Sequence, residues 1–272
     1  MYEEFYGLTA RPFTKTPDPK FLFLSRSHEE ALARLQYAVE EKELILLTGD
    51  VGCGKTTLTR ALMDILGESY KIVTIINPVL TPAQFLRALA KRLDINIPSV
   101  YKSDLLDAIY EKVYQEYEAG TSIVIIIDEA QLIPSKDTFE EIRLLTNFQL
   151  DNTNLLSLIL VGQTDLRKRL NHKAYIPLKQ RIGLYYHLGP IGEDEIREYV
   201  QHRLRTSGRE HLLFTDEALK LLYAYSQGVP RLINSIATSA LLDGFAHEAV
   251  IIDASFIDGA ARELSLDGYS EN

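Results

Sequence analysis

One eight-residue segment constrains the fold of this chain more than any other part of its sequence. It follows the apolar run Leu44–Thr48, has the pattern G-x-x-x-x-G-K-[ST], and ends where a helical pattern begins. Glycines in such a loop let successive backbone N–H groups point at phosphate groups, and the N-terminus of the following helix adds partial positive charge. The segment predicts a phosphate-binding loop made of Gly49, Asp50, Val51, Gly52, Cys53, Gly54, Lys55 and Thr56.

Side chains at the end of this segment have predicted roles. Lys55 would reach the β- and γ-phosphates of a nucleotide, and Thr56 would ligate the accompanying Mg²⁺. Thr57, the next residue, completes the predicted nucleotide-binding set. The alternative is a glycine-rich turn without a ligand, but the flanking strand and helix favour phosphate binding.

A pair of carboxylates follows another apolar run, Ile123–Ile127. Asp128 would hold Mg²⁺ through water, and Glu129 would act as the general base that polarises an attacking water. Beside a phosphate-binding loop, this arrangement is a Walker B pattern and predicts hydrolysis of ATP to ADP rather than transfer to an acceptor. A solvated strand end without a function is the alternative interpretation.

Short apolar runs alternate with amphipathic stretches, which predicts an α/β fold with a parallel sheet covered by helices. The predicted strands are Leu44–Thr48, Lys71–Ile76, Ser122–Ile127, Leu155–Val161 and Ile182–Leu188. Helix-start signals lie at Ser27, at Thr81 followed by Pro82, and at Thr138. After Gly189 only helical patterns follow, so we expect an N-terminal arm (1–26), an α/β nucleotide-binding domain (27–189) and a helical domain (190–272).

The composition limits where the chain works and what it binds. Its formal net charge of −9 argues against holding nucleic acid by bulk electrostatics, although Arg167-Lys168-Arg169 with Lys173 forms a small basic cluster. A single cysteine, Cys53, excludes an internal disulfide and is typical of a reducing compartment. No export signal is visible and no apolar run approaches the roughly 20 residues of a membrane helix, so we expect a cytoplasmic protein.

Several further segments, together with the two motifs, give the chain a family resemblance. The segments are Phe5–Leu8, Arg11–Phe13, Thr16–Pro19, Phe21–Ser25, Gly162-Gln163, Leu178–Ile182 and Gly228–Asn234. With them, the chain from Phe5 to about Leu264 resembles AAA+ ATPases of the ExeA type (general secretion pathway protein A) and their relatives among the TniB/TnsC-type transposition ATPases. The resemblance implies a sheet of strand order 5-1-4-3-2 and a C-terminal helical lid.

The resemblance also implies roles for single residues. Gln163 would be the sensor 1 residue that orients water, with helix capping as the alternative. Arg181 would be an arginine finger acting on the neighbouring subunit, with a surface salt bridge as the alternative and Arg169, Lys173 and Lys179 as competitors. Arg231 would be the sensor 2 arginine on the γ-phosphate in cis, against a solvated helix start. Candidates for adenine contact, or for plain packing, are Phe5, Tyr6, Leu8 and Phe13.

Three functions are consistent with these predictions. The first is an oligomeric ATPase, weak without oligomerisation or a partner, that assembles or remodels a bacterial envelope or secretion complex. The second is an ATP-dependent regulator of transposition that binds duplex DNA. The third is a slow nucleotide-gated scaffold.

Two further features are given no function. Cys53 could be a reactive thiol but is better explained as a small loop residue. Beyond the nucleotide-bound Mg²⁺ we predict no metal site.

Overall fold

The computed structural model describes residues 1–14, 16, 18–96, 101–151 and 153–264. The chain divides into two compact units that do not follow sequence order. The first contains Met1–Glu29, Val51–Arg60 and the chain from Gly189 onward; the second contains Glu30–Asp50 and Ala61–Leu188. The predicted boundaries of the arm, the α/β domain and the helical domain stay a prediction. Some residues of these predicted regions lie outside the described residues, namely 15, 17, 97–100, 152 and 265–272. Pro17 of the Thr16–Pro19 segment is one of them.

The elements of the described chain are as follows. The strands are β1 (Leu44–Gly49), β2 (Tyr70–Ile75), β3 (Ser122–Ile127), β4 (Gln149–Leu150), β5 (Thr153–Asn154), β6 (Leu156–Gly162) and β7 (Ile182–Leu188). The helices are α1 (Tyr2–Phe5), α2 (Arg26–Glu40), α3 (Lys55–Leu66), α4 (Pro82–Arg92), α5 (Lys102–Glu118), α6 (Lys136–Leu145), α7 (Thr164–Leu170), α8 (Ile176–Lys179), α9 (Ile196–Thr206), α10 (Asp216–Ser226), α11 (Pro230–Ala246) and α12 (Ala254–Glu263). None of these helices is long and apolar enough to cross a membrane.

A parallel sheet organises the second unit. Its strand order is β2-β3-β6-β1-β7, which confirms the expected order 5-1-4-3-2 for the five predicted strands. Strands β1 and β6 are buried along their whole length, as expected when helices cover both faces of a parallel sheet. The antiparallel pair β4–β5 was not predicted, because two-residue strands leave no periodic pattern.

Helix starts in the second unit test the capping signals. Thr81 caps α4 as predicted: its hydroxyl accepts from the Gln84 N–H, the Gln84 side chain accepts from the Thr81 N–H, and Pro82 occupies the first helical position. The prediction at Thr138 is wrong. Ser135 caps α6 and accepts from the Thr138 N–H, while the buried Thr138 hydroxyl donates to the Leu80 carbonyl.

The first unit has a core of its own, formed by α9–α12 and the N-terminal arm. Tyr6, Leu8 and Phe13 of the arm pack among buried side chains of these helices. Arg203 on α9 is buried and donates to three carbonyls of the arm, those of Pro12, Thr14 and Phe21. The arm is therefore part of this core.

The predicted cap of α2 is also wrong. Ser27 lies inside the first turn of α2, because α2 begins at Arg26.

Candidate functional site

The predicted phosphate-binding loop leaves the sheet at the end of β1. Strand β6 lies between β1 and β3, and all three are parallel, so β1 and β3 end at the same edge of the sheet. A Cβ atom on Gly49 would lie 2.6 Å from the Leu188 carbonyl oxygen, so only glycine fits there. Asp50 accepts a 2.7 Å hydrogen bond from the Thr164 hydroxyl, which fixes the start of the loop.

The rest of the loop belongs to the first unit and takes a conformation that requires glycine. Gly52 and Gly54 have φ values of +88° and +96°, in the region that L side chains avoid. A Cβ atom on Gly52 would lie 2.7 Å from Cβ of Arg231, and one on Gly54 would lie 3.0 Å from Nε2 of His28. Substitution at either position would therefore meet both backbone strain and a neighbouring side chain.

Two carbonyls of the loop are held by other segments of the first unit. The Arg231 N–H donates to the Gly52 carbonyl at 3.3 Å, and Nε2 of His28 lies 3.0 Å from the Cys53 carbonyl oxygen. Helix α3 begins at Lys55, whose side chain is largely buried. A left-handed glycine loop that opens a helix, with its carbonyls already bonded elsewhere, fits a phosphate chain.

The predicted carboxylates lie at the end of β3. The Asp128 N–H donates to the Ile75 carbonyl at 2.9 Å, and an oxygen of the buried Asp128 carboxylate accepts from the Glu129 N–H at 2.8 Å. Glu129 itself is left-handed, with φ 54° and ψ 38°. Such a conformation is unfavourable for a non-glycine residue and is concentrated at functional sites. It turns the chain directly after Asp128, so the two carboxylates belong to one tight turn.

Gln131 is a site residue that sequence reasoning missed. It lies in the 3₁₀ turn Ala130–Leu132, and its Nε2 donates to the Glu129 carboxylate. Its Oε1 accepts from the Gln163 N–H at 3.1 Å, so one side chain links the ends of β3 and β6. The only sequence signal was an amide among the apolar residues Ala130, Leu132 and Ile133.

Gln163 occupies the N-cap position of α7, but its side chain makes no capping hydrogen bond. This geometry does not support the capping alternative. The sensor 1 role stays a prediction, and the backbone contact with Gln131 ties Gln163 to the turn that holds Glu129.

The candidate arginines differ in their surroundings. Arg181 is exposed, precedes β7, and donates to the Asn147 side chain at 2.9 Å. It therefore lies at the amino edge of the sheet, a strand length of about 20 Å from the edge where β3 ends. Arg169 instead donates to the Ile133 carbonyl at 2.5 Å and stacks over Phe139, so it is a structural residue rather than a competitor for the finger role.

Other candidates have simpler roles. Tyr6, Leu8 and Phe13 are buried in the core of the first unit, and the Tyr6 hydroxyl donates to the Ala249 carbonyl, so packing rather than adenine contact explains them. Phe5 is partly exposed and packs edge-on against Phe245. Cys53 is 1% exposed, which removes the reactive-thiol interpretation because an attacking reagent could not reach it.

Comparison with known proteins supplies a family context. Residues 38–170 match the family model described as an AAA domain. General secretion pathway protein A of Aeromonas hydrophila is 39% identical over an alignment that covers 97% of this chain and 49% of that protein. The chain thus spans about half the length of the curated relative it matches.

Solved structures show the same fold at low sequence identity. The ORC2 protein of Aeropyrum pernix, in ADPNP–ADP complexes, has a TM-score of 0.69 at 19% identity, covering 93% of this chain and 71% of that one. The RuvB Holliday junction branch migration motor of Thermotoga maritima has a TM-score of 0.61 at 20% identity, covering 90% of this chain and 72% of that one. At these identities the likeness concerns the fold alone.

Proposed function

Because this chain is an AAA+ P-loop protein related to general secretion pathway protein A, we propose that it binds ATP with Mg²⁺ and hydrolyses it to ADP and phosphate. The observation that carries the proposal is the phosphate-binding loop, whose Gly52 and Gly54 have left-handed conformations and whose carbonyls are bonded to His28 and Arg231. The turn Asp128–Gln131 supports hydrolysis, because it combines a buried carboxylate with a second, amide-bonded carboxylate.

Each residue then has a distinct task. Lys55 would bind the β- and γ-phosphates, Thr56 would ligate Mg²⁺, Asp128 would hold Mg²⁺ through water, and Glu129 would polarise the attacking water as the general base. When bound, Mg²⁺ offsets the negative charge of the phosphates. Gln163 orients the water. Arg231 would contact the γ-phosphate of the nucleotide bound by its own chain. The close approach of Arg231 to Gly52 within the first unit supports this assignment.

We further propose that Arg181 acts on the ATP of a neighbouring copy. Its place at the amino edge of the sheet supports action in trans, because Glu129 lies at the opposite edge of the same unit. An arginine supplied in trans raises hydrolysis by about 10³ or more, so isolated copies would be weak ATPases.

The test is steady-state ATP hydrolysis over a range of protein concentrations. Activity per chain should rise with concentration, Arg181→Ala should remove that rise, and Arg34→Ala, an exposed arginine on α2, should not. Mixing Arg181→Ala with Glu129→Gln provides the sharper experiment. The first variant keeps the Glu129 carboxylate, and the second keeps Arg181, so a neighbouring pair of the two would hold one complete site. Recovered activity in the mixture supports action between copies, and a mixture no more active than its components contradicts it.

For the cellular role, we propose that nucleotide-dependent oligomers assemble or remodel an envelope or secretion complex. The support is the name and 39% identity of the A. hydrophila relative, of which this chain spans about half. Capture of proteins of the secretion apparatus by the Glu129→Gln variant with ATP, and not with ADP, is the expected result. Equal capture in both nucleotide states would count against the role.

A duplex-DNA function is the second candidate, and one charge pattern favours it. From residue 166 to 192 the sequence contains no acidic residue but includes Arg167, Lys168, Arg169, Lys173, Lys179 and Arg181. If this stretch binds DNA, duplex DNA should stimulate hydrolysis at low salt, and the effect should fall steeply as salt rises. If stimulation by DNA survives the double substitution Lys168→Ala and Lys173→Ala, the DNA-binding function is rejected.

The slow scaffold would be indicated by a turnover time of minutes together with nucleotide-dependent capture of a partner protein.

A further inference from the structure

His28 is a buried histidine that neither sequence motif includes. It lies in the first turn of α2 and is 2% exposed. Its Nδ1 lies 2.7 Å from the hydroxyl oxygen of Ser25, which is itself fully buried, and its Nε2 lies 3.0 Å from the Cys53 carbonyl oxygen. Both ring nitrogens therefore have partners, and one partner is the phosphate-binding loop.

The two contacts fix the tautomer of the ring. A carbonyl oxygen only accepts, so Nε2 must carry the proton that reaches Cys53. In the neutral ring Nδ1 then accepts, and the Ser25 hydroxyl donates to it. Burial lowers the pKa of His28 below its ordinary value, although the hydrogen bond to Cys53 acts in the opposite direction. Because the pKa is lowered, the ring is neutral near pH 7.

Holding the Cys53 carbonyl also orients the next N–H group. In a trans peptide the C=O and N–H bonds point in opposite directions. With the Cys53 carbonyl held on Nε2 of His28, the Gly54 N–H points away from that ring. The bond from the Arg231 N–H to the Gly52 carbonyl orients the Cys53 N–H in the same way. Successive N–H groups are what such a loop uses to bind phosphate.

We propose that His28 is a positioning residue for nucleotide binding, which holds the Cys53–Gly54 peptide in the orientation that binds phosphate. Its ring edge also fills the space beside Gly54, where a Cβ atom would lie 3.0 Å from Nε2. The proposal rests on the proposed function, since the loop must bind nucleotide for its preorganisation to matter. A buried histidine that only fills the core of the first unit would have no specific effect on nucleotide affinity.

The experiment is a titration of the purified chain with a fluorescent ADP analogue and Mg²⁺, without turnover. His28→Ala should bind about tenfold more weakly, the effect of one lost buried hydrogen bond. His28→Gln, whose side-chain amide can donate in place of Nε2, should recover most of the affinity. His202→Ala is the matched control, because His202 is a partly buried histidine of the same unit that packs against Phe23.

Melting temperatures without nucleotide separate positioning from stability. The proposal requires weaker binding by His28→Ala than by His202→Ala at a temperature where both are folded, with recovery in His28→Gln. Wild-type affinity in folded His28→Ala, or no recovery in folded His28→Gln, overturns it. Failure of the wild-type chain to bind, or binding unaffected by Lys55→Ala, would instead reject the proposed function.

Discussion

The two groups of predicted site residues are held in different ways. In the part of the predicted phosphate-binding loop that belongs to the first unit, backbone carbonyls are held from far away in sequence: the Arg231 N–H donates to the Gly52 carbonyl, and the His28 ring contacts the Cys53 carbonyl. At the end of β3 in the second unit, side-chain carboxylates are held from within a single turn. The Asp128 carboxylate accepts from the Glu129 N–H, and the Glu129 carboxylate accepts from the Gln131 amide.

This difference separates two kinds of defect. If the loop binds phosphate as proposed, a change that disturbs it alters the orientation of N–H groups that would contact phosphate both before and during the reaction. If Glu129 is the base as proposed, a change in the turn after β3 moves a group that is needed only when water attacks. Substitutions around the loop should therefore weaken nucleotide affinity, and substitutions in the turn should lower kcat while affinity stays the same.

Glu129→Gln is the strongest test of the turn. The amide keeps the size of the side chain but cannot accept a proton, so kcat should fall by about 100-fold or more, while ADP affinity stays within about twofold of wild type. Hydrolysis is measured by phosphate release and affinity by titration with the fluorescent analogue. Undiminished turnover would remove Glu129 from the reaction, and a parallel loss of affinity would break the distinction between the two groups.

Gly52→Ala is the corresponding test of the loop. The new Cβ would combine a left-handed φ with a 2.7 Å approach to Arg231, so nucleotide affinity should fall roughly 30-fold. Gly67→Ala is the matched control, because Gly67 has φ +67° but nothing within 4 Å of its Cβ position. The control carries the backbone strain without the collision and should bind normally. Equal affinities in the two variants would show that contact with Arg231 does not shape the loop.

Gln131→Ala should have a smaller effect on turnover. Without the amide, the Glu129 carboxylate loses a hydrogen-bond donor and the Gln163 N–H loses its acceptor, so kcat should fall about tenfold with ADP affinity unchanged. Gln115→Ala, on an exposed position of α5, is the control and should match wild type. A change in affinity without a change in kcat would assign Gln131 to nucleotide binding instead.

The sequence predicted the sheet better than it predicted the site's support. Each of the five main strands has bounds within one residue of those predicted. For β1, β3 and β6 the reason is that a buried parallel strand is a nearly continuous apolar run. The contacts that position site residues leave no comparable pattern in the sequence. His28 and Gln131 are single polar residues, and their importance depends on long-range contacts with Cys53 and Gln163.

Helix caps show the same limit at short range. Ser27 and Thr138 have the residue type and spacing of caps, yet α2 begins at Arg26 and Ser135 caps α6. Ser and Thr hydroxyls serve equally well in the first turn when a nearby backbone group is available, as Thr138 does with the Leu80 carbonyl. Local pattern fixes a helix start only to within a few residues, and tertiary contacts decide the rest.

The smallest expected effect concerns the pH dependence of stability, and it tests how the first unit holds its loop. Burial lowers the pKa of His28 in the folded chain, so below the ordinary histidine range the unfolded chain binds the proton more readily. The contribution of His28 is therefore fully present above that range and is lost as pH falls through it toward the folded-state pKa. His28→Gln should flatten the fall in the free energy of unfolding between about pH 7.5 and 5.5, measured by urea denaturation. His202, whose pKa is also lowered by burial and then by Arg203, keeps its own contribution in that variant, so part of the slope should remain. An unchanged slope would mean that His28 accepts a proton in place without losing its bonds, and the loop would then be held independently of the charge on that ring.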